Sequence, residues 1–293
     1  MGKYSIKELE KLSGIKAHTI RIWEKRYGLI DPQRTSTNIR FYSDDDLKKI
    51  INVSLLNNNA IKISAIAGLS ASELNKKVQE LSKLDDQAGV HIDQLVTAMI
   101  DLEEEKFEQE LVVIEKKIGF ERTVTEVIYP FLTKIGILWQ TGNITPAHEH
   151  FISNLIRQKI IVSIATLPLP SKSGIRALLF LPENELHEIA LLFYHYVCKK
   201  YGFRTYYLGQ SVPYTDLKTV YAIHKPHLLI TSLTSNPSPK DLNSYLMTLS
   251  KDFPTSRILA AGALLRKTSF HYPPNLTVFE TAAELHEILK DLK

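Results

Sequence analysis

One stretch decides the fold of the C-terminal third of the chain: Ala177-Leu178-Leu179-Phe180-Leu181-Pro182-Glu183-Asn184-Glu185-Leu186-His187-Glu188-Ile189-Ala190. Its first five residues form a short apolar run that Pro182 closes, which is typical of a buried parallel strand. From Ile189 onward, apolar residues recur at helical spacing. The polar residues between them are therefore expected in a strand-to-helix loop, at the edge of a parallel sheet where ligands bind.

His187 is the candidate metal ligand in this loop. Glu185 lies two residues before it, close enough to accept a hydrogen bond from the imidazole Nδ1. Such a bond would fix the tautomer and leave Nε2 as the metal-binding nitrogen. A lone histidine at a helix start is more often a cap or a surface residue, so the pair alone does not define a site.

Downstream, strand patterns alternate with helical patterns. Strands are predicted at 176–181, 205–208, 227–232, 257–261 and 276–279, and helices at about 187–201, 214–224, 241–252 and 282–291. Strict alternation predicts a Rossmann-like, flavodoxin-like parallel sheet with helices on both faces. The glycine fingerprint of a dinucleotide site and a Gly-Lys-Ser phosphate loop are both missing from the sequence, which argues against those two functions.

Small or hydroxyl residues fall where the predicted strands end. This pattern resembles the cobalamin-binding domain of methionine synthase and the corrinoid proteins, which has an acidic residue two before a histidine, a Ser-any-Leu triplet and a Gly-Gly pair. The positions that match are Glu185, His187, Ser232 and Gly262, and those that depart from the pattern are Ala190, Thr234 and Ala261. The resemblance implies a base-off cobalamin with His187 as the lower cobalt ligand. It implies that the cofactor is bound by Glu185, His187, Ser232, Thr234 and Gly262.

The N-terminal segment predicts two short helices joined by a glycine-containing turn. Ser5 and Glu8 form a capping box that starts the first helix. The second helix begins near Ala17 and ends at Gly28. This arrangement is typical of a helix-turn-helix.

Basic residues outnumber acidic ones between Lys3 and Tyr42. Clustered Lys and Arg attract phosphates, and a helix that mixes them with Thr and His can read base edges in the major groove. We therefore predict that this segment binds double-stranded operator DNA, with a wing over residues 38–42 that begins at Asn38. The second helix exposes Lys16, His18, Thr19, Arg21, Lys25 and Arg26.

The order of residues over this whole segment resembles the MerR-type winged helix-turn-helix. It is carried by Tyr4-Ser5-Ile6-Lys7-Glu8-Leu9, Thr19-Ile20-Arg21-Ile22-Trp23-Glu24, Tyr27-Gly28-Leu29-Ile30, Arg34-Thr35 and Asn38-Ile39-Arg40-Phe41-Tyr42. The resemblance implies a recognition region that includes His18, Thr19, Arg21 and Tyr27. It also implies that Arg34, Arg40 and Tyr42 belong to the wing and its phosphate contacts.

The middle of the chain predicts a helical bundle. Residues 70–90 are polar and favour a short helix followed by a linker, and four apolar-faced helical patterns follow at about 90–102, 104–118, 121–139 and 145–165. MerR proteins generally carry one long antiparallel dimerisation helix. This chain has no helical pattern of that length, so we expect a different effector arrangement.

Trp139 and Glu149 are ten residues apart, and His150 follows Glu149. This spacing resembles light-responsive, adenosylcobalamin-binding MerR repressors, the CarH-like group. The resemblance implies that Trp139 covers the upper face of the corrin, with Glu149 and His150 lining the same pocket. Light-sensing members have a histidine directly after the tryptophan, whereas this chain has Gln140, a poor cobalt ligand. His148 is a nearby imidazole on another element.

The bulk composition is that of a globular protein with several domains. The chain has 293 residues, 44% of them hydrophobic, a formal net charge of +4 and a single cysteine, Cys198. One cysteine allows no internal disulfide, which is compatible with a reducing cytoplasm. No apolar run approaches the length of a membrane span and no signal peptide is evident. The predicted domains are 1–75, 88–170 and 173–293.

Together these features predict a cytoplasmic transcriptional regulator and not an enzyme, so no catalytic residue is proposed. The prediction is a repressor that binds DNA as a dimer or tetramer, takes up cobalamin, most readily adenosylcobalamin, and responds to light; RNA polymerase is a further candidate partner. Two alternatives stay open. The sensor could have lost cobalamin, or the chain could be a corrinoid methyl carrier, against which the winged helix argues.

Overall fold

The structure of the chain is a computed structural model. It describes residues 3–35, 37–58, 61–84, 88–140, 144–170, 174–238, 240–266 and 272–292, and of residues 11, 58, 79–84 and 137–140 it describes the backbone alone. The chain divides into two compact units, Met1–Leu155 and Ile156–Lys293. The three-domain division predicted from the sequence stays a prediction.

The first unit begins with the predicted winged helix-turn-helix. Ser5 caps the first helix and forms the predicted capping box with Glu8, and Gly14 ends that helix in the left-handed conformation at φ 74°. Gly28 ends the second helix in the same way, at φ 59°. The elements are α1 (Ile6–Ser13), α2 (Ala17–Tyr27), β1 (Gln33–Arg34), β2 (Arg40–Phe41) and α3 (Asp44–Asn58).

Strands β1 and β2 pair antiparallel and form the wing. Arg34 is opposite Arg40 in the pair, and the backbones of Tyr4 and Tyr42 exchange two hydrogen bonds of 2.9 and 2.8 Å. The wing is thereby tied to the residues that precede α1. The core beneath it contains the fully buried side chains of Tyr4, Leu9, Ile20, Tyr42 and Leu47.

The polar segment after α3 is more helical than the sequence indicates. Helix α4 (Ile63–Ala67) is followed by α5 (Ala71–Leu84), and α5 has 14 residues. The predicted helix is therefore longer than expected, and residues 85–87 of the predicted linker lie outside the described residues. The reason for the longer helix is a capping box that the prediction did not use, in which the Ser70 backbone N–H donates to the Glu73 carboxylate over 2.8 Å and the Glu73 N–H donates to the Ser70 hydroxyl.

Four helical segments of the predicted lengths follow. They are α6 (Ala88–Ile100), α7 (Glu104–Ile118), a segment made of α8 (Phe120–Arg122), a π-helical stretch (Thr123–Ile128) and α9 (Tyr129–Gln140), and α10 (Pro146–Ala165). Phe107 of α7 packs against Phe131 of α9 with ring centroids 5.7 Å apart. A hydrogen bond between His91 and Glu110 joins α6 to α7, and an ion pair between Asp93 and Lys134 joins α6 to α9. Burial raises the pKa of Asp93, although Lys134 opposes the shift.

The second unit contains the parallel sheet. Its elements are β3 (Arg176–Pro182), α11 (Ile189–Lys200), β4 (Arg204–Val212), α12 (Tyr214–His224), β5 (Leu228–Ser232), α13 (Leu242–Asp252), β6 (Arg257–Ala261), β7 (Leu276–Val278) and α14 (Ala282–Lys290). The strand order is β4-β3-β5-β6-β7. This is the flavodoxin-like order, so the predicted fold class is confirmed.

The alternation of side chains along each strand assigns the two faces of the sheet. Leu178 and Phe180 of β3 belong to one core with Leu217 of α12 and with Leu246 and Leu249 of α13. Successive residues of a strand point to opposite faces, so Ala177 and Leu179 face the other side, where α11 packs. The chain leaves β3 toward β4 on one side and returns as β5 on the other. The carboxyl ends of β3 and β5 therefore form the topological switch point, where such sheets bind ligands.

Candidate functional site

Glu185 and His187 lie together in the loop between β3 and α11. Oε1 of Glu185 is 2.5 Å from Nδ1 of His187, and the His187 backbone N–H donates to the same oxygen over 3.1 Å. The Glu185 side chain is fully buried, whereas 60% of the His187 side chain is exposed. The structure thus brings the two predicted residues together with the carboxylate as a buried anchor and the ring at the surface.

The loop after β5 supplies the other partners of Glu185. Backbone N–H groups of Thr234, Ser235 and Asn236 donate to Oε2 over 3.0, 2.6 and 3.0 Å, and the Ser235 hydroxyl donates to both carboxylate oxygens. Burial by itself would raise the pKa of Glu185. The hydrogen bonds from His187, Ser235 and Asn236 outweigh it and hold that pKa well below its usual range.

An ionised Glu185 can only accept, so Nδ1 of His187 must be the donor in their hydrogen bond. In the neutral ring the lone pair then lies on Nε2. The Ser235 hydroxyl is 3.4 Å from the same Nδ1 and adds a second polar group on that side of the ring. The loop therefore fixes the tautomer of His187, as the spacing of the two residues predicts.

Further hydrogen bonds join the ends of β3, β4 and β5 around this carboxylate. The Asn184 N–H donates to the Ser211 hydroxyl over 3.0 Å, and the Asn236 amide donates to the Asn184 carbonyl over 2.7 Å. The Gln210 amide donates to the Leu186 carbonyl over 2.6 Å. The sequence analysis assigned no role to these side chains. The signal for Ser235 and Asn236 was their position shortly after the predicted strand 227–232.

The other predicted cofactor residues of the sheet are near this loop but differ in exposure. Ser232 is the last residue of β5 and is 1% exposed, and Thr234 is partly buried and contributes its backbone N–H. Gly262 follows β6 at φ +120°, and a Cβ there would lie 2.3 Å from the Leu233 carbonyl oxygen. Close packing of two backbones therefore accounts for this glycine.

The donor chemistry of the loop fits the lower face of a cobalamin. A neutral imidazole nitrogen is a suitable ligand for a transition metal, and a carboxylate behind the ring orients it and increases its basicity. A single imidazole suits a metal that carries its other ligands with it, as cobalt does in a corrin. No group of three or more His, Cys, Asp or Glu residues suited to a metal ion occurs among the residues that the structure describes.

Glu188 forms a second polar cluster that sequence reasoning missed. It is 5% exposed and precedes α11. Its carboxylate accepts from Nε of Arg157 on α10 and, over 3.0 Å, from the hydroxyl of Tyr207 on β4. Burial and the neighbouring carboxylate raise the pKa of Tyr207, so its hydroxyl stays protonated. These contacts hold the residue next to His187 against α10 and β4.

The predicted residues of the bundle are on the first turns of α10. Oε1 of Glu149 accepts from the Ser153 hydroxyl over 2.7 Å, and its other oxygen pairs with His150 Nδ1 over 2.8 Å. Nδ1 of His148 is 2.9 Å from the Thr145 hydroxyl, so this imidazole is part of the helix start. The side chains of Trp139 and Gln140 lie outside the described residues, and their predicted roles stay predictions.

The predicted DNA-binding side chains form an exposed face on α2 and the wing, with the exception of Tyr42, described below. Lys16 precedes α2 and is paired with Glu10 over 3.2 Å, and Arg26 lies over the ring of Tyr27 with 5.4 Å to its centroid. Arg34 and Asn38 are bonded to each other over 2.7 Å, and this contact closes the wing. Exposed positions are Lys16, His18, Arg21, Lys25, Arg26, Arg34, Asn38 and Arg40, while Thr19 and Tyr27 are partly buried.

Of the two wing residues that contact Glu24, Tyr42 differs from the prediction of a phosphate contact and Arg40 does not. Tyr42 is fully buried, and its hydroxyl donates to Glu24 of α2 over 3.2 Å. Burial and Glu24 raise the pKa of Tyr42 to about 12, so the hydroxyl is a donor at neutral pH. Arg40 pairs with the same Glu24 over 3.6 Å while staying 44% exposed. Tyr42 therefore connects the wing to α2 from the inside, and only Arg40 of the two is presented to a ligand.

Comparison with known proteins identifies two kinds of domain in this chain. The profile of the MerR HTH family regulatory protein matches residues 4–73, and a profile described as a B12 binding domain matches residues 91–162. The protein is a MerR-family DNA-binding regulator with a B12-binding domain. The B12 profile falls on the helical bundle of this regulator.

Relatives of this MerR-family regulator include two Myxococcus xanthus proteins. It is 26% identical to the HTH-type transcriptional repressor CarH over 260 residues, which is 86% of this chain and 85% of CarH. It is 25% identical to the HTH-type transcriptional repressor CarA over 243 residues, 82% of this chain and 80% of CarA. The HTH-type transcriptional regulator MlrA of Escherichia coli strain K12 is 34% identical over 73 residues, 25% of this chain and 30% of MlrA.

Solved structures give a weaker likeness. The methanol:cobalamin methyltransferase complex MtaBC of Methanosarcina barkeri matches 86% of this chain and 92% of its own, at 15% identity and a TM-score of 0.35. The monomethylamine corrinoid protein of the same organism matches 74% of this chain and 97% of its own, at 16% identity and a TM-score of 0.39. These TM-scores support no conclusion about function. Within the described residues, every helix is too short or too polar to cross a bilayer.

Proposed function

We propose that this MerR-family regulator is a repressor whose DNA binding is controlled by cobalamin held at the carboxyl ends of β3 and β5. The observation that carries the proposal is the hydrogen bond of 2.5 Å between His187 and a buried Glu185, in a chain that also has a MerR-type DNA-binding domain. A surface imidazole with its tautomer fixed by a carboxylate is prepared to bind a metal.

In this proposal each residue of the loop has one task. His187 would hold the cobalt of a bound cobalamin through Nε2, and Glu185 orients the ring and keeps Nδ1 protonated. Ser232, Thr234 and Gly262 shape the edge on which the nucleotide tail lies. Glu149, His150 and Trp139 are assigned to the upper side by resemblance. The adenosyl form supplies a cobalt–carbon bond that light breaks, a reactivity that belongs to the cofactor.

The DNA-binding part of the proposal rests on α2 and the wing. Exposed Arg21, Lys25 and Arg26 supply phosphate attraction, and His18 and Thr19 are at positions from which a helix can read base edges. Repression would require an oligomer that holds several winged helices in register with the operator. We propose that cobalamin binding controls this oligomer, in the cytoplasm and in competition with RNA polymerase for the promoter.

The experiment uses the full chain, purified and handled in darkness. Adenosylcobalamin is added and removed by desalting, and the absorption spectrum, the gel-filtration mass and the affinity for duplex DNA are measured before and after illumination. The proposal predicts a red protein, a larger oligomer and tighter DNA binding in darkness than after light. A colourless protein whose mass and DNA affinity do not respond to cobalamin would contradict it.

Gln140, the residue that follows Trp139, allows the light response to be tested separately from cofactor binding. We propose that Gln140, an amide, would not hold cobalt as an imidazole would, so that the chain would supply no second imidazole at this position after illumination of bound adenosylcobalamin. The Gln140→His variant should then show a different spectrum after illumination from that of the unmodified chain. Identical spectra would contradict this role of Gln140.

A second candidate function is a MerR-like regulator whose sensor no longer binds cobalamin. The observation in its favour is that packing against Leu233 accounts for Gly262 without a ligand, while Ala190, Thr234 and Ala261 depart from the cobalamin pattern. Salt-dependent DNA binding by a protein that stays colourless with adenosyl-, methyl- and hydroxocobalamin would favour this function.

A further inference from the structure

Helix α2 presents an exposed isoleucine on its charged face. Of the large hydrophobic side chains in the described part of residues 3–58, two are exposed, Ile22 of α2 at 52% and Ile39 of the wing at 64%. Ile20 and Trp23 of α2 are buried. A single exposed isoleucine is common on protein surfaces, so its meaning depends on the residues around it.

Helical geometry gives the position of Ile22 on this face. Successive residues of an α-helix are about 100° apart, and Ile20 and Trp23 mark the side that faces the core. The opposite side carries the exposed residues of α2, which are, in order around the helix, Arg21, Lys25, His18, Ile22 and Arg26. His18 and Ile22 are four residues apart and therefore lie one above the other. They form the central line of the exposed side.

Basic residues flank this central line on both sides. On the wing side, a recess between α2 and the wing is lined by three basic and two acidic residues, which are Arg21, Lys25, Arg40, Glu24 and Asp31. Glu24 is already engaged by the Tyr42 hydroxyl and by Arg40. On the other side, Arg26 is exposed. A helix with cations on both flanks fits between two rows of phosphates, and its central line then faces the base edges of the major groove.

The chemistry of isoleucine selects one group among those base edges. Ile22 has no hydrogen-bonding atom in its side chain, so it cannot pair with a phosphate, and a base donor or acceptor that it covered would lose its water partner. The major groove displays one methyl group, at C5 of thymine. Contact with that methyl removes apolar surface of both partners from water. The β-branched side chain is also stiff in a helix, so it loses little freedom in making this contact.

We propose that Ile22 determines part of the DNA sequence preference by contacting the 5-methyl group of a thymine in the major groove. The inference rests on the DNA-binding half of the function described above and not on cobalamin. Ile39 is outside the central line, because it belongs to the wing, between Asn38 and Arg40. It offers the same side chain at a comparable exposure and is therefore the matched comparison.

Deoxyuridine is the probe, because it differs from thymidine in the base only by the missing methyl group. The full chain first selects its preferred site from a library of random duplexes, and each thymine of that site is then replaced singly. Fluorescence anisotropy at fixed salt measures the affinities. Replacing the contacted thymine should weaken binding about fourfold, the value for one methyl group taken out of water.

Variants assign the effect to one side chain. Ile22→Ala should bind the thymine and deoxyuridine duplexes equally, whereas Ile22→Val, which keeps the branched methyls, should retain most of the preference. Alanine is a good helix former at an exposed position, so Ile22→Ala is expected to fold. Its slope of log K against log salt should equal that of the unmodified chain, because no phosphate contact is lost. Ile39→Ala is the control and should keep the fourfold preference.

Three results would overturn this role of Ile22. They are a selected site at which no deoxyuridine weakens the unmodified chain, a thymine preference that Ile22→Ala retains, and a preference that Ile39→Ala loses to the same extent. The ratio compares two duplexes on the same protein, so it does not depend on the cofactor. A colourless chain that prefers thymine would contradict the cobalamin proposal alone, and a red chain without the preference would contradict this inference alone.

Discussion

Two carboxylates, Glu24 in the winged helix and Glu185 at the sheet edge, each organise the residues around a candidate ligand-binding surface. Glu24 accepts from the hydroxyl of Tyr42 and pairs with Arg40, and 18% of its side chain is exposed. Glu185 is fully buried and accepts three backbone N–H groups from one loop and the side chain of His187. Glu24 therefore connects the side chains of Tyr42 and Arg40, whereas Glu185 holds the backbone of the 234–236 loop in place.

This difference indicates how each surface should respond when its carboxylate is removed. Side-chain partners can move to water when the carboxylate is lost, so the wing should keep its shape without Glu24. Backbone N–H groups pointing inward have no such freedom, because their replacement partner must enter the loop. The DNA-binding face is therefore expected to be adaptable, and the loop of His187 rigid, as a metal-binding group requires.

The largest effect expected from this comparison follows Glu185→Ala. The variant leaves the N–H groups of Thr234, Ser235 and Asn236 without their acceptor, and water can reach them only in part. At roughly 1 kcal/mol for each group, the free energy of unfolding should fall by about 3 kcal/mol. Urea denaturation followed by circular dichroism measures it. Glu183→Ala, at an exposed neighbour, is the control and should change stability by less than about 0.5 kcal/mol; equal losses in the two variants would contradict the anchoring role.

A smaller loss is expected for Glu24→Ala. The variant removes one hydrogen bond from Tyr42 and a partly exposed ion pair with Arg40, so the free energy of unfolding should fall by about 1 kcal/mol. Asp31→Ala is the control, because Asp31 is an exposed acidic residue of the same surface. If Glu24→Ala lowered the free energy of unfolding as much as Glu185→Ala does in the same urea experiment, the proposed difference between the two carboxylates would be contradicted.

The smallest effects are expected in DNA binding. Arg21→Ala should reduce the slope of log K against log salt by about 0.9, the value for one phosphate contact. Tyr42→Phe should leave both the slope and the affinity at a fixed salt concentration unchanged, because the buried hydroxyl contacts Glu24. Fluorescence anisotropy with a labelled duplex at several salt concentrations measures both quantities. Lys251→Ala removes one positive charge from an exposed position of α13 and serves as the control; a weaker affinity of Tyr42→Phe at fixed salt would restore the phosphate contact predicted from the sequence.

The elements of the fold could be predicted because their signals are local. Capping boxes, glycines after helices and alternating apolar runs fixed α1, α2 and the five strands of the sheet to within a few residues. The largest error in a predicted strand boundary is at the end of β4. This strand extends to Val212, whereas the predicted strand ends at residue 208. Its later residues, Gly209 to Ser211, are small or polar, and the predicted strand did not include them.

The candidate site could be predicted only in its local part. Glu185 and His187 are two residues apart, so their contact follows from spacing. The N–H donors of the 234–236 loop and the contact of Arg157 with Glu188 join residues far apart in sequence, and only the sheet topology brings them together. Tyr42 was misjudged for a similar reason, since its burial depends on pairing with Tyr4 and not on its neighbours in the wing.

The most direct test of the central claim is the visible spectrum of the chain after adenosylcobalamin has been added in darkness and the excess removed. The comparison is between the unmodified chain, His187→Ala and His227→Ala, the last being a histidine that contacts the Arg176 backbone at the opposite, amino-terminal edge of the sheet. We predict that the unmodified chain and His227→Ala retain the red cofactor, and that His187→Ala loses it with an unchanged far-ultraviolet spectrum. Full retention by His187→Ala, or none by the unmodified chain, would contradict the account.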